Sequence, residues 1–192
     1  MPGVKRTGGR SARVRKSVLD AALALLLERG YEGLSIAEVA QVAEVAETTV
    51  YRRWPAKADL AAAAIGELAA VENPLPDTGS LEGDLTALLE QIVDLLRRPD
   101  IERLARASAA LSNDDAEQAQ ARAAFYRMRT AGSAEVAVRA IQRGELPAET
   151  DPAAVIEQLV APAYLRLLLT GGPLDEALVT DSVRRTMAAF AC

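Results

Sequence analysis

The stretch SIAEVAQVAEVAETTVYRRWPAK, Ser35 to Lys57, decides how this chain is read. It holds two short helical patterns joined by a tight break. The first, Ile36 to Val42, follows Ser35, whose hydroxyl is of the type that caps an unpaired helix N–H. Ile36, Val39 and Ala40 recur at i, i+3 and i+4, giving one apolar face. The second pattern, Ala46 to Arg53, keeps only Val50 and the edge of Tyr51 for packing. Thr48, Thr49, Arg52 and Arg53 supply hydroxyls and guanidiniums. Those groups reach phosphates and base edges when a helix lies in a DNA major groove. A short bracing helix, a tight turn and a short polar helix make the helix-turn-helix plan.

Upstream, a helix is expected from about Ser11 to Arg29, with Val14, Val18, Ala22 and Leu25 on its inner face. Gly30 follows it, where a positive φ costs glycine nothing. Downstream, a fourth helix begins near Pro55 or Ala56 and runs to about Val71. Asn73 to Ser80 is a linker rich in Pro and Gly. Ser80 then caps a fifth helix carrying Leu81, Leu85, Leu88, Leu89, Ile92 and Leu96 at helical spacing. A sixth covers about Asp100 to Leu111, with Asn113-Asp114-Asp115 as the next turn. A long pattern from Ala116 to Arg143 offers a break at Gly132-Ser133. An eighth helix, Ala153 to Thr170, is capped by Asp151, kinked at Pro162 and stopped by Gly171-Gly172-Pro173. A ninth, Leu174 to Phe190, has Val179, Val183, Met187 and Phe190 as one stripe. The expected fold class is all-α with about nine helices.

Charge divides the chain. Residues 1–60 carry 10 Lys or Arg against 7 Asp or Glu, whereas residues 61–192 carry 12 against 20. An acidic body with a basic end suits contact with DNA at that end. For Lys5 to Arg10, a solvated tail and a phosphate-contacting arm fit equally well. The chain has no histidine, and its one cysteine is Cys192. Disulfides within the chain, thiolate metal sites and histidine general bases are therefore excluded, and neither enzyme activity nor a cofactor is expected. With no signal-peptide pattern and no uninterrupted apolar run of membrane-spanning length, a cytoplasmic protein without a membrane partner is expected.

Leu19 to Leu60 resembles the DNA-binding region of the TetR (tetracycline repressor) family of bacterial regulators. The resemblance is carried by Glu28-Arg29-Gly30-Tyr31, by the S-I-x-x-V-A run from Ser35, by Thr48 to Trp54, and by Pro55, Lys57 and Leu60. Residues 1–10, with a proline, three glycines and no periodicity, read as a flexible basic arm, and the resemblance implies a helix-turn-helix domain (residues 11–57) and an effector-binding and dimerisation domain (residues 58–192). DNA contact is expected through Ser35, Ala37, Glu47, Thr48, Thr49, Tyr51, Arg52, Arg53 and Lys57, whereas Trp54 is expected to pack between the third and fourth helices, because duplex readers rarely need an exposed indole. Two residues depart from the family pattern: Glu44 stands where glycine is common in the turn, and Glu47 where a basic or neutral residue is usual. An acid at Glu47 repels phosphates but can accept from cytosine N4.

The same resemblance implies a homodimer through the last two helices, a palindromic double-stranded DNA operator, and a small-molecule effector enclosed by the fifth to eighth helices. Gln91, Tyr126, Gln158 and Tyr164, polar among apolar neighbours, are the pocket candidates. The expected function is a ligand-responsive repressor. The alternative is a dimeric sensor or interaction protein that has lost specific DNA binding, as Glu44 and Glu47 permit.

Overall fold

The computed structural model describes residues 8–72, 74–109 and 116–190. Those residues form α1 (Gly8–Arg29), α2 (Ile36–Val42), α3 (Glu47–Tyr51), α4 (Lys57–Glu72) and α5 (Leu81–Leu96). They continue as α6 (Pro99–Ala109), α7 (Ala116–Arg143), α8 (Pro152–Leu165) and α9 (Glu176–Phe190). The chain is all-helical, as the periodicity predicts. The turn at Asn113-Asp114-Asp115, the end of the sixth helix at Leu111, the arm's residues 1–7 and Cys192 lie outside the described residues.

Several boundaries differ from expectation for local reasons. The first helix starts at Gly8, not Ser11. α7 runs unbroken through Gly132, where a Cβ would meet nothing, so a helical glycine there costs only the usual ~1 kcal/mol of backbone freedom. α4 begins at Lys57 because the Asp59 carboxylate accepts from the Ala56 N–H at 3.2 Å, a capping arrangement one turn in. Pro162, with no N–H to donate, sits inside α8. The helix then widens into a π-helical turn, Arg166–Thr170, ended by Gly171 in left-handed conformation (φ 66°). α9 starts at Glu176 because Asp175 caps it, accepting from the Leu178 N–H at 2.9 Å.

Two apolar cores result. The head core gathers Val18, Leu19, Ala22, Leu25 and Leu26 from α1 with Val39, Val50, Trp54 and Leu60. The body core joins the α5 leucines to Val136, Ala140, Val155, Ile156, Leu159, Leu178 and Val183. α4 lies along both α1 and α7, and Leu104 of α6 enters the head core, so two helices connect head to body.

A polar cluster pins the α4–α5 linker to the end of α7. Asp84 is fully buried and accepts from the Thr78 N–H at 2.6 Å and Thr78 Oγ1 at 2.8 Å, with Arg143 at 3.3 Å on its other oxygen. Glu145 pairs with Arg143 and accepts from the Leu81 N–H at 2.6 Å, while Arg139 donates to the Pro76 carbonyl. By length and composition alone Pro152–Thr170 could cross a membrane (mean hydropathy 1.3). Here Val155, Ile156, Leu159, Ala163 and Leu167 of that segment are buried in the body core.

Candidate nucleic-acid interface

The candidate interface is built on α3, a helix too short to persist alone. Val50 and Trp54 hold it by inserting into the head core, so its remaining side chains are free to face outward. The turn before it closes α2 with two reversed bonds. Val45 N–H donates to the Ala40 carbonyl at 2.9 Å and Glu44 N–H to Gln41 at 3.2 Å. That pairing is a Schellman motif, and it places Glu44 in the left-handed region at φ 54°. A glycine would sit there without cost. Ser17 of α1 donates to the Ala43 carbonyl at 3.4 Å and braces the same turn.

Glu47, Thr48, Tyr51, Arg52 and Arg53 are exposed, and Thr49 is half-buried. Tyr51, 48% exposed, edges the helix rather than entering the core. The Arg52 guanidinium makes no hydrogen bond or ion pair to any described residue, and only its backbone N–H is engaged, with the Thr48 carbonyl. Arg53 differs: its guanidinium donates to both the carbonyl and the hydroxyl of Ser11 in α1. The two arginines, alike in sequence, are thus separated by the fold into an open cation and a tether. Lys57 stands with Nζ 4.4 Å from the ring centroid of buried Tyr31, a cation–π contact that steadies the ammonium at the start of α4.

Ser35 and Ala37 are exposed on α2. Ser35 has the extended backbone of an N-cap, but its hydroxyl makes no capping bond, so the expected cap is made by its carbonyl alone, which accepts from Val39 N–H at 3.0 Å. Ser35, Ala37, Glu38, Gln41, Val45 and Glu47 line an open groove of about 590 Å³ between α2 and α3. Glu38 is held by Arg29 at 2.7 Å; Glu47 has no partner among the described residues. Gln41 was not among the expected contacts; its one sequence signal is a polar side chain opposite the apolar face of α2.

The effector candidates do not converge. Gln91 on α5 is half-buried, and its Oε1 is enclosed without a hydrogen-bond partner among the described residues. Tyr164 packs against the body core. Gln158 is exposed on α8. The Tyr126 side chain lies outside the described residues.

Two family models match the chain: bacterial regulatory proteins of the tetR family over residues 18–64, and the tetracyclin repressor-like C-terminal domain over residues 75–186. Among curated proteins it is 28% identical over 179 residues to the HTH-type transcriptional regulator YdeS of Bacillus subtilis, covering 93% of this chain and 90% of that one. It is 32% identical over 175 residues to the DNA-binding transcriptional repressor TetR of Mycobacteroides abscessus, covering 85% and 86%. Among solved structures, the TetR family transcription regulator SCO0332 superposes with a TM-score of 0.75 at 32% identity, over 91% of this chain and 97% of that one.

Proposed function

The chain belongs to the TetR family of helix-turn-helix transcriptional regulators, which are not enzymes, and from that premise we propose that it is a homodimeric repressor released from a palindromic operator by a small molecule. The observation that carries the DNA-contacting role is the outward row of Thr48, Tyr51 and Arg52 on a helix anchored by Val50 and Trp54. Thr49, Lys57 and Ser35 flank that row and reach phosphates through their side chains, and Ala37 through its backbone N–H in the first turn of α2. The Mycobacteroides abscessus relative is a DNA-binding transcriptional repressor, which supports repression rather than activation.

Leu165 and Leu169, 50% and 79% exposed on one side of α8 and its π-turn, support pairing of α8 and α9 with a second copy. A two-fold dimer then presents two α3 helices to major grooves about one turn, roughly 34–36 Å, apart. The effector lodges among α5 to α8, near the enclosed Gln91 oxygen. It lowers operator affinity because it binds one spacing of the heads better than the other. Leu104 of α6, packed into the head core, supports a route between the two regions. The site of action is the cytoplasm, where the DNA is.

Operator affinities of Tyr51→Ala and Lys57→Ala test the DNA-contacting role. Each is expected to bind at least about tenfold more weakly, the size of one lost charge-assisted contact. Unchanged affinity in both would favour a sensor that has lost specific DNA binding.

A further inference from the structure

We infer that Glu47 is a specificity-determining residue that selects cytosine at one position of each operator half-site. The inference rests on the operator-binding reading above and deepens it. Glu47 opens α3, is exposed, and is the unpaired charge lining the groove between α2 and α3. Glu38, the other acid there, is neutralised by Arg29. Ser35 and Ala37 beside it are too small to cover the carboxylate. The first residues of a recognition helix are the ones that approach base edges in the major groove.

An ionised carboxylate only accepts hydrogen bonds. In the major groove guanine offers N7 and O6 and thymine offers O4, all acceptors, so both repel it. Adenine offers its N6 amino group, but N7 lies beside it and repels a second carboxylate oxygen. Cytosine N4 is a donor without a neighbouring acceptor on the same base. The acid that weakens general attraction to phosphates therefore becomes a filter for one base.

The test is selection from a random duplex pool by the full-length protein, its Glu47→Gln variant and its Glu47→Ala variant. The wild type is expected to enrich cytosine at one symmetric position, preferring it about tenfold over other bases. Glu47→Gln should move that position to adenine, because an amide accepts from N6 and donates to N7. Glu47→Ala should leave it undefined, with every other position unchanged. If all three proteins enrich the same sequence and differ only by a uniform change in affinity, Glu47 acts as a general charge and the inference is wrong. A wild type that enriches no duplex overturns the operator-binding reading, and the inference with it.

Discussion

Arg53 at the end of α3 grips Ser11 near the start of α1 through both the carbonyl and the hydroxyl of that serine. The neighbouring Arg52 grips nothing among the described residues. One arginine therefore ties the end of α3 to α1, while the other stands open on the surface.

Arg53→Ala and Ser11→Ala should each lower stability slightly and non-additively, with a coupling of about 0.5–1 kcal/mol, since the contact is exposed. Arg52→Ala should leave stability within about 0.5 kcal/mol. It should weaken operator binding about tenfold. Urea melts and operator titrations of wild type, these three variants and the Ser11→Ala/Arg53→Ala double variant decide this. Equal operator affinity for Arg52→Ala and wild type would remove Arg52 from the interface.

Glu44 holds the left-handed position of the α2–α3 turn at φ 54°. Such a conformation costs a residue with a Cβ about 1–2 kcal/mol, and glycine loses about 0.4–1 kcal/mol through its freer unfolded chain. Glu44→Gly should therefore stabilise the protein by roughly 0.5 kcal/mol. Glu44→Val should destabilise it, because a β-branched side chain fits that region worst. A lower urea midpoint for Glu44→Gly would show that the turn draws stability from the glutamate side chain itself.

The strain at Glu44 was visible in the sequence, because a turn of this kind favours glycine and the chain offers an acid. So were the helices, where leucine spacing in α5 and caps at Ser80 and Asp151 agree with one another. The separate fates of Arg52 and Arg53 were not visible. They depend on where α1 begins, three residues earlier than its glycines suggested, and on a contact between residues 42 positions apart. The place of Gln158, exposed on α8, was not visible either, because a polar residue in an apolar helix faces either a cavity or the outside, and spacing alone does not choose. Asp84 went unnoticed for a related reason: its partner Arg143 lies 59 positions along the chain, and Glu145, which shares that arginine, reaches back to the Leu81 N–H.

That buried cluster predicts an acid limb in the stability curve. Burial alone would raise the Asp84 carboxyl, but hydrogen bonds from the Thr78 N–H and hydroxyl and from Arg143 outweigh it and hold the group below its usual range. The Leu81 N–H, followed by Arg143, does the same for Glu145 against its own burial. Both groups are lowered in the folded state, so their contribution is present above the unfolded values near 4 and is lost as pH falls through the folded ones. Asp84→Asn should cost about 2–3 kcal/mol at neutral pH and flatten the decline below about pH 4. Parallel acid limbs for wild type and Asp84→Asn would contradict this.

Leu165 and Leu169 predict the oligomeric state. Leu169→Glu, or Leu165→Glu with it, should convert a dimer to a monomer on sedimentation while leaving helix content intact, since neither side chain is buried in the subunit. Palindromic operator affinity should fall as the dimer is lost. A charge-substituted protein that remains dimeric would move the interface to another face.

The most direct test of operator recognition is enrichment of duplexes from a random pool by the full-length protein, repeated at two salt concentrations. A palindrome with half-sites about 10 base pairs apart, bound more weakly as salt rises, is the expected result. Absence of any enriched sequence at either salt concentration would contradict operator recognition by α3.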